Sequence, residues 1–140
     1  MLMRSFVTFV AVSAMAAIVC AADGQWTPER FANEQTLELL TVGPEEGEHW
    51  STVWLVVIDG QVYVRLGDRA AGRVEASTRK PLVDVRIAGE TFHNVSVDPA
   101  PEMADRVAAA MGEKYWSDIF VRYMSHPLTA RLIAQDSGRI

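Results

Sequence analysis

The chain has 140 residues, 13 Lys+Arg against 18 Asp+Glu, and a formal net charge of −5. That length suits one ordinary domain, and the acidic balance argues against general nucleic-acid binding. Cys20 is the one cysteine, so disulfide staples and cysteine-built metal or nucleophile sites are excluded from the body of the protein.

Residues 1–22 have the layout of a secretory signal. Arg4 gives a positive start, Phe6 to Val19 an apolar run, and Val19-Cys20-Ala21-Ala22 a small-residue cleavage region. Cleavage after Ala21 or Ala22 leaves residues 23–140 as a single domain in the periplasm or outside the cell, with no stable membrane span. Retention of Ser5 to Ala22 as an uncleaved anchor is the alternative. Lipidation at Cys20 is disfavoured by bulky Val19, where that pathway wants a small residue.

Trp26-Thr27-Pro28-Glu29-Arg30-Phe31 carries a helix start, with Thr27 as cap, Pro28 at the first helical position and Glu29 at the positive helix end, and predicts a helix of about two turns. Thr36 to Val42 reads as a strand ended by Gly43-Pro44, with Leu37 and Leu39 on one face and Glu38 and Leu40 on the other. The stretch Gly43 to Trp50, GPEEGEHW, reads as an acidic loop. His49 among its glutamates is a weak metal signal without a second histidine nearby, and no metal site is expected.

Thr52 to Ile58 is an almost unbroken β-branched and aromatic run, as a strand buried on both faces requires. Asp59-Gly60 is a tight hairpin turn. Gln61 to Leu66 then alternates, with Val62, Val64 and Leu66 on one face and Gln61, Tyr63 and Arg65 on the other. Gly67 breaks the strand, and Asp68 to Ala76 forms a loop or helical turn in which Arg69 and Arg73 align at i, i+4 if helical. Leu82 to Ile87 alternates again, Ala88-Gly89-Glu90 turns, and Thr91 to Val97 completes a hairpin with His93 on the half-buried face of Val95 and Val97. After Asp98-Pro99-Ala100-Pro101 the period changes to that of a helix. Met103, Val107, Ala110, Met111 and Tyr115 make a stripe over Glu102 to Trp116 that packs on the sheet. Ser117 to Met124 predicts another helical turn, Thr129 to Ala134 a closing strand, and the tail from Gln135 frays.

Charge is unevenly placed. Asp23 to Gly60 has eight acids and one base, Gln61 to Arg86 three acids and six bases, and Ile87 to the end seven acids and five bases. A basic island in an acidic chain is either a local anion site or the solvated side of a sheet. The element order, with five or six short and mostly antiparallel strands, one late amphipathic helix and no crossover helices, predicts a mainly β (α+β) domain built as a small closed or half-open barrel. No P-loop, dinucleotide glycine motif or nucleophile elbow is present.

The runs TVWLVVIDGQVYVRLGDRAAGRV, RKPLVDVRIAGETF and AAAMGEKYW resemble the FMN-binding split-barrel superfamily, which includes pyridoxamine-phosphate oxidases, flavin reductases and deazaflavin-dependent reductases. WTPERF, YVR and KYW are most similar to a group of small uncharacterised members. The resemblance implies a split β-barrel and a homodimer. It also implies FMN held by Arg65, Arg69 and Arg73 at the phosphate, by Gly67 through close backbone approach, by the Tyr63 and Arg65 strand along the ribityl chain, and by Trp54 near the ring, with Lys80 a further candidate. The activity implied is that of an oxidoreductase on an unknown small substrate. Deazaflavin relatives hold an anionic tail with basic residues where this chain has GPEEGEHW, so deazaflavin is not expected. The alternative is a binding module for haem, another small ligand or a protein. Haem would take its axial ligand from His49, His93 or His126.

Overall fold

The structure, a computed structural model, describes residues 24–115 and 128–135. The signal, the turn predicted over Ser117 to Met124, His126-Pro127 and the tail beyond Gln135 lie outside the described residues. Six strands, β1 (Thr36–Gly43), β2 (Gly47–Ile58), β3 (Gln61–Leu66), β4 (Leu82–Ile87), β5 (Glu90–Pro99) and β6 (Leu128–Ala134), close into a barrel in the order β1-β2-β3-β6-β5-β4. Every pairing is antiparallel, and β4 closes on β1 through Glu38↔Arg86, Leu39↔Val85 and Leu40↔Asp84. Closure removes the edges that would otherwise invite pairing with another chain.

The alternation that predicts the strands also fills the barrel. Leu37, Leu39, Val53, Leu55, Val62, Val64, Leu66, Val83, Val85, Ile87, Val95, Val97 and Leu132 form one buried cluster. A helix α1 (Asp68–Ala76) presents Val74, Ala70 and Ala71 to one end of this cluster. At the other end Trp26, Phe31 and Phe92 meet at tilted and edge-on angles with centroids 5.1 to 5.8 Å apart. A second helix, α2 (Ala104–Lys114), lies outside the barrel. Its Val107 and Met111, with Tyr115 just beyond it, pack on Val56 and Tyr63, so the helical stripe read from the sequence is the docking face. No helix among the described residues is long and apolar enough to cross a membrane.

Three local expectations are corrected. The helix expected after Thr27 is a single 3-10 turn, Pro28–Phe31, and Thr27 makes no side-chain cap. The acidic loop is a short turn instead, because Gly47 at φ +77° reverses the chain and lets Glu48 to Ser51 pair with β1. The third concerns β5. It carries an extra residue opposite Asp84, since Val83 pairs with Val95 but Val85 with Phe92, and Asn94 takes φ +59°. This bulge turns His93 out of the Val95 and Val97 face, leaving its side chain 70% exposed.

Candidate functional site

Gly67 is the turning point of the candidate site. It sits in extended backbone between β3 and α1, and its carbonyl accepts the amide of Ala71. Arg65 precedes it on the outer face of β3 and Arg69 follows it in the first turn of α1. The i, i+4 spacing brings Arg69 and Arg73 together as expected. Both line an open cleft of about 560 Å³ whose other wall is the β1–β2 turn, Gly43, Pro44, Glu45 and Glu46. That volume falls in the range of about 300–1,000 Å³ usual for small-molecule sites.

The electrostatics of the cleft are mixed. Arg73 Nε donates to both carboxylate oxygens of Glu46 at 3.3 Å. The acidic turn and the basic helix, separate features in the sequence, therefore face one another. Six of the described arginines are ion-paired in this way: Arg30 to Glu90, Arg73 to Glu46, Arg79 to Asp84, Arg86 to Glu38, Arg106 to Asp59 and Arg131 to Glu102. Arg65 and Arg69 have no carboxylate partner among the described residues. Arg65 Nε is moreover buried without a hydrogen-bond acceptor there, an arrangement that costs free energy unless a ligand supplies the acceptor.

The other candidates divide. Trp54 lies one residue past the Leu55↔Val64 pair, as Arg65 does on β3, so the two share the outer face at this point of the sheet. Trp54 stacks on Tyr115 at 4.8 Å and 16°. Tyr115 is fixed in turn, because its hydroxyl lies 2.6 Å from the carbonyl oxygens of both Gln35 and Leu55. Burial and the backbone bond pull the Tyr115 hydroxyl in opposite directions, burial prevailing, so it titrates above the usual tyrosine range. Lys114 donates to the carbonyls of Glu34 and Leu55, and burial lowers its pKa. Tyr63 is 3% exposed beneath α2, with its hydroxyl accepting from Arg131 Nε at 3.2 Å. Lys80 lies outside the cleft and pairs with Glu75.

A second polar cluster escaped the sequence reading. Asp84, on the outer face of β4, accepts from Arg79 at 3.1 Å and from the Asn94 amide at 3.2 Å through Oδ1, while His93 Nδ1 lies 3.1 Å from Oδ2. Burial pushes the Asp84 carboxyl up, but the bonds from Arg79, His93 and Asn94 together with the Arg79 charge hold it below the usual range. His49 lies 3.6 Å from exposed Glu46, and no group of three or more potential metal ligands occurs among the described residues.

No protein-family model and no curated protein sequence matches the chain. Solved structures do match. The heme storage protein HutZ from Vibrio cholerae aligns over 78% of this chain and 88% of its own at 22% identity, TM-score 0.57. The conserved hypothetical protein Rv2991 from Mycobacterium tuberculosis aligns over 76% of this chain and 77% of its own at 22% identity, TM-score 0.55. The fold is a split barrel. A further split-barrel match, described as a domain-swapped dimer, covers 71% of this chain and 80% of its own at 12% identity, TM-score 0.54.

Proposed function

We propose that this protein is an exported, homodimeric split barrel that binds FMN and works as an oxidoreductase on a small substrate. The observation that carries the reading is the pair of arginines flanking Gly67. Among the described residues Arg65 and Arg69 lack the carboxylate partner that each of the other described arginines has, and Arg65 holds a buried Nε without an acceptor there. A phosphate monoester supplies both the charge and the acceptor oxygens that this pair lacks.

In this reading Arg65 and Arg69 hold the phosphate and Gly67 permits close backbone approach, beside amides at the α1 N-terminus that favour an anion. Arg73 reinforces the site once Glu46 releases it. Trp54, immobilised by Tyr115, offers a flat apolar wall near the flavin ring. Tyr63 supports the strand from beneath α2, and Lys80 adds to the long-range field only. When bound, FMN supplies the electron-accepting ring system. The protein's part is to bind, orient and shield it. The mature protein purified with and without added FMN, and followed by its visible absorption, tests the reading. Binding lost in Arg65→Ala and Arg69→Ala supports it, and absence of binding in the wild type refutes it.

The likeness to a heme storage protein favours a second reading, in which the barrel binds haem through one of its histidines. A Soret band on addition of ferric haem separates this from the flavin reading.

A further inference from the structure

We propose that the cleft between α1 and the β1–β2 turn is a subsite for a small amino acid, a ligand with one carboxylate and one ammonium on a short chain; the proposal goes beyond the flavin reading and does not depend on it. The charged lining is bipolar. The helix contributes Arg69 and Arg73, the turn contributes Glu45 and Glu46, and Asp68 stands at the start of α1. Two guanidinium groups thus share about 560 Å³ with three carboxylates, and an anion with no positive group of its own meets repulsion as well as attraction there.

The contact between Arg73 and Glu46 shows which groups fit. Arg73 Nε already donates to both oxygens of a carboxylate at 3.3 Å, so its guanidinium is posed for a carboxylate at that place. Neither side chain is locked in. Arg73 is 30% exposed and Glu46 45%, and Glu46 stands in the turn that reverses at Gly47. A simple carboxylate that takes Arg73 strands Glu46 beside the incoming negative charge. An amino acid takes Arg73 with its carboxylate and returns an ammonium to Glu46, so each member of the pair exchanges one partner of opposite charge for another and no charge is left unpaired. Only a ligand with both charges can make that exchange.

The cleft face of α1 has the room. Arg69, Gly72, Arg73 and Ala76 fall at i, i+3, i+4 and i+7, the spacing of one helix face, and all four line the cleft. An added Cβ at Gly72 would meet no atom within 4 Å. Glycine inside a helix is unfavourable relative to alanine, and here it leaves the space beside the two arginines open.

The test follows nitrogen-15 NMR shifts of the signal-free protein during titration with 4-aminobutyrate, butyrate and n-butylamine, which share one chain length and differ only in charge. Wild-type protein is expected to bind 4-aminobutyrate at least about fivefold tighter than either single-charge analogue, with the shifts centred on Gly72 and Arg73. Glu46→Gln should move the two carboxylates in opposite directions, weakening 4-aminobutyrate about fivefold and tightening butyrate by a similar factor. Gly72→Leu keeps every charge, fills the helix face and should abolish binding of both, with circular dichroism unchanged. Butyrate bound by wild type as tightly as 4-aminobutyrate, a Glu46→Gln variant that tightens both, or no binding of 4-aminobutyrate overturns the proposal. FMN titrated into a parallel sample reads the flavin site by itself, so the two readings fail separately.

Discussion

Arg73 Nε lies 3.3 Å from each carboxylate oxygen of Glu46, so the basic helix α1 is partly neutralised by the turn between β1 and β2. An anion entering the cleft competes with that carboxylate. Glu46→Gln removes the competitor and is expected to tighten FMN or inorganic phosphate binding up to about fivefold, the scale of a half-exposed ion pair. The gain should shrink in high salt. Isothermal titration at two ionic strengths checks it, and unchanged affinity would mean that Arg73 takes no part.

Asp84 links the β5 bulge to acid stability. Its folded pKa lies below the ordinary value of 3.8, so its stabilising contribution is fully present above the unfolded pKa and is lost as pH falls through the folded one. Asp84→Asn is therefore expected to destabilise the protein by about 1–3 kcal/mol at neutral pH. The difference from wild type should narrow below about pH 4. Denaturant melts at pH 7 and pH 3 measure this, and a difference independent of pH would contradict it.

Ala88 sits at φ +53° in the turn between β4 and β5, ahead of Gly89 at φ +77°. Both positions of such a turn need the left-handed region, which costs an ordinary L-residue about 1–2 kcal/mol. Ala88→Asn relieves most of that cost and should raise the melting temperature by a few degrees. A lower melting temperature would show that the Ala88 methyl is needed for packing.

Much of the barrel was legible because its signals are local. The Asp59-Gly60 turn adopts positive φ at both residues. Val62, Val64 and Leu66 are fully buried, and the stripe from Met103 to Tyr115 docks as its spacing required. The misses are non-local or lie at strand ends. Glu48, His49 and Trp50 look like loop because they are charged or isolated, yet pairing with Val42, Thr41 and Leu40 makes them strand. His93 keeps perfect alternation with Val95 in the sequence. Its exposure depends on a bulge held by Asp84 and Arg79, ten and fifteen residues away from Asn94, which no window around His93 contains. For the candidate site, the i, i+4 arginines could be read directly. The Glu46 wall opposite them could not, since it depends on how the β1–β2 turn and α1 meet, and neither could the buried Arg65 Nε, since burial of one side-chain atom is a product of tertiary packing.

The most direct test of the central claim is an FMN titration of the signal-free protein, monitored by flavin fluorescence and absorption, alongside Arg65→Ala, Arg69→Ala and the double variant. Each single substitution removes a charge-assisted contact and should weaken binding by roughly 10- to 100-fold, at about 1.5–3 kcal/mol per contact. The double variant should abolish measurable binding while circular dichroism is unchanged. Wild-type protein that leaves the flavin spectrum untouched, or variants that bind FMN as tightly as wild type, would contradict an anion site built on Arg65 and Arg69.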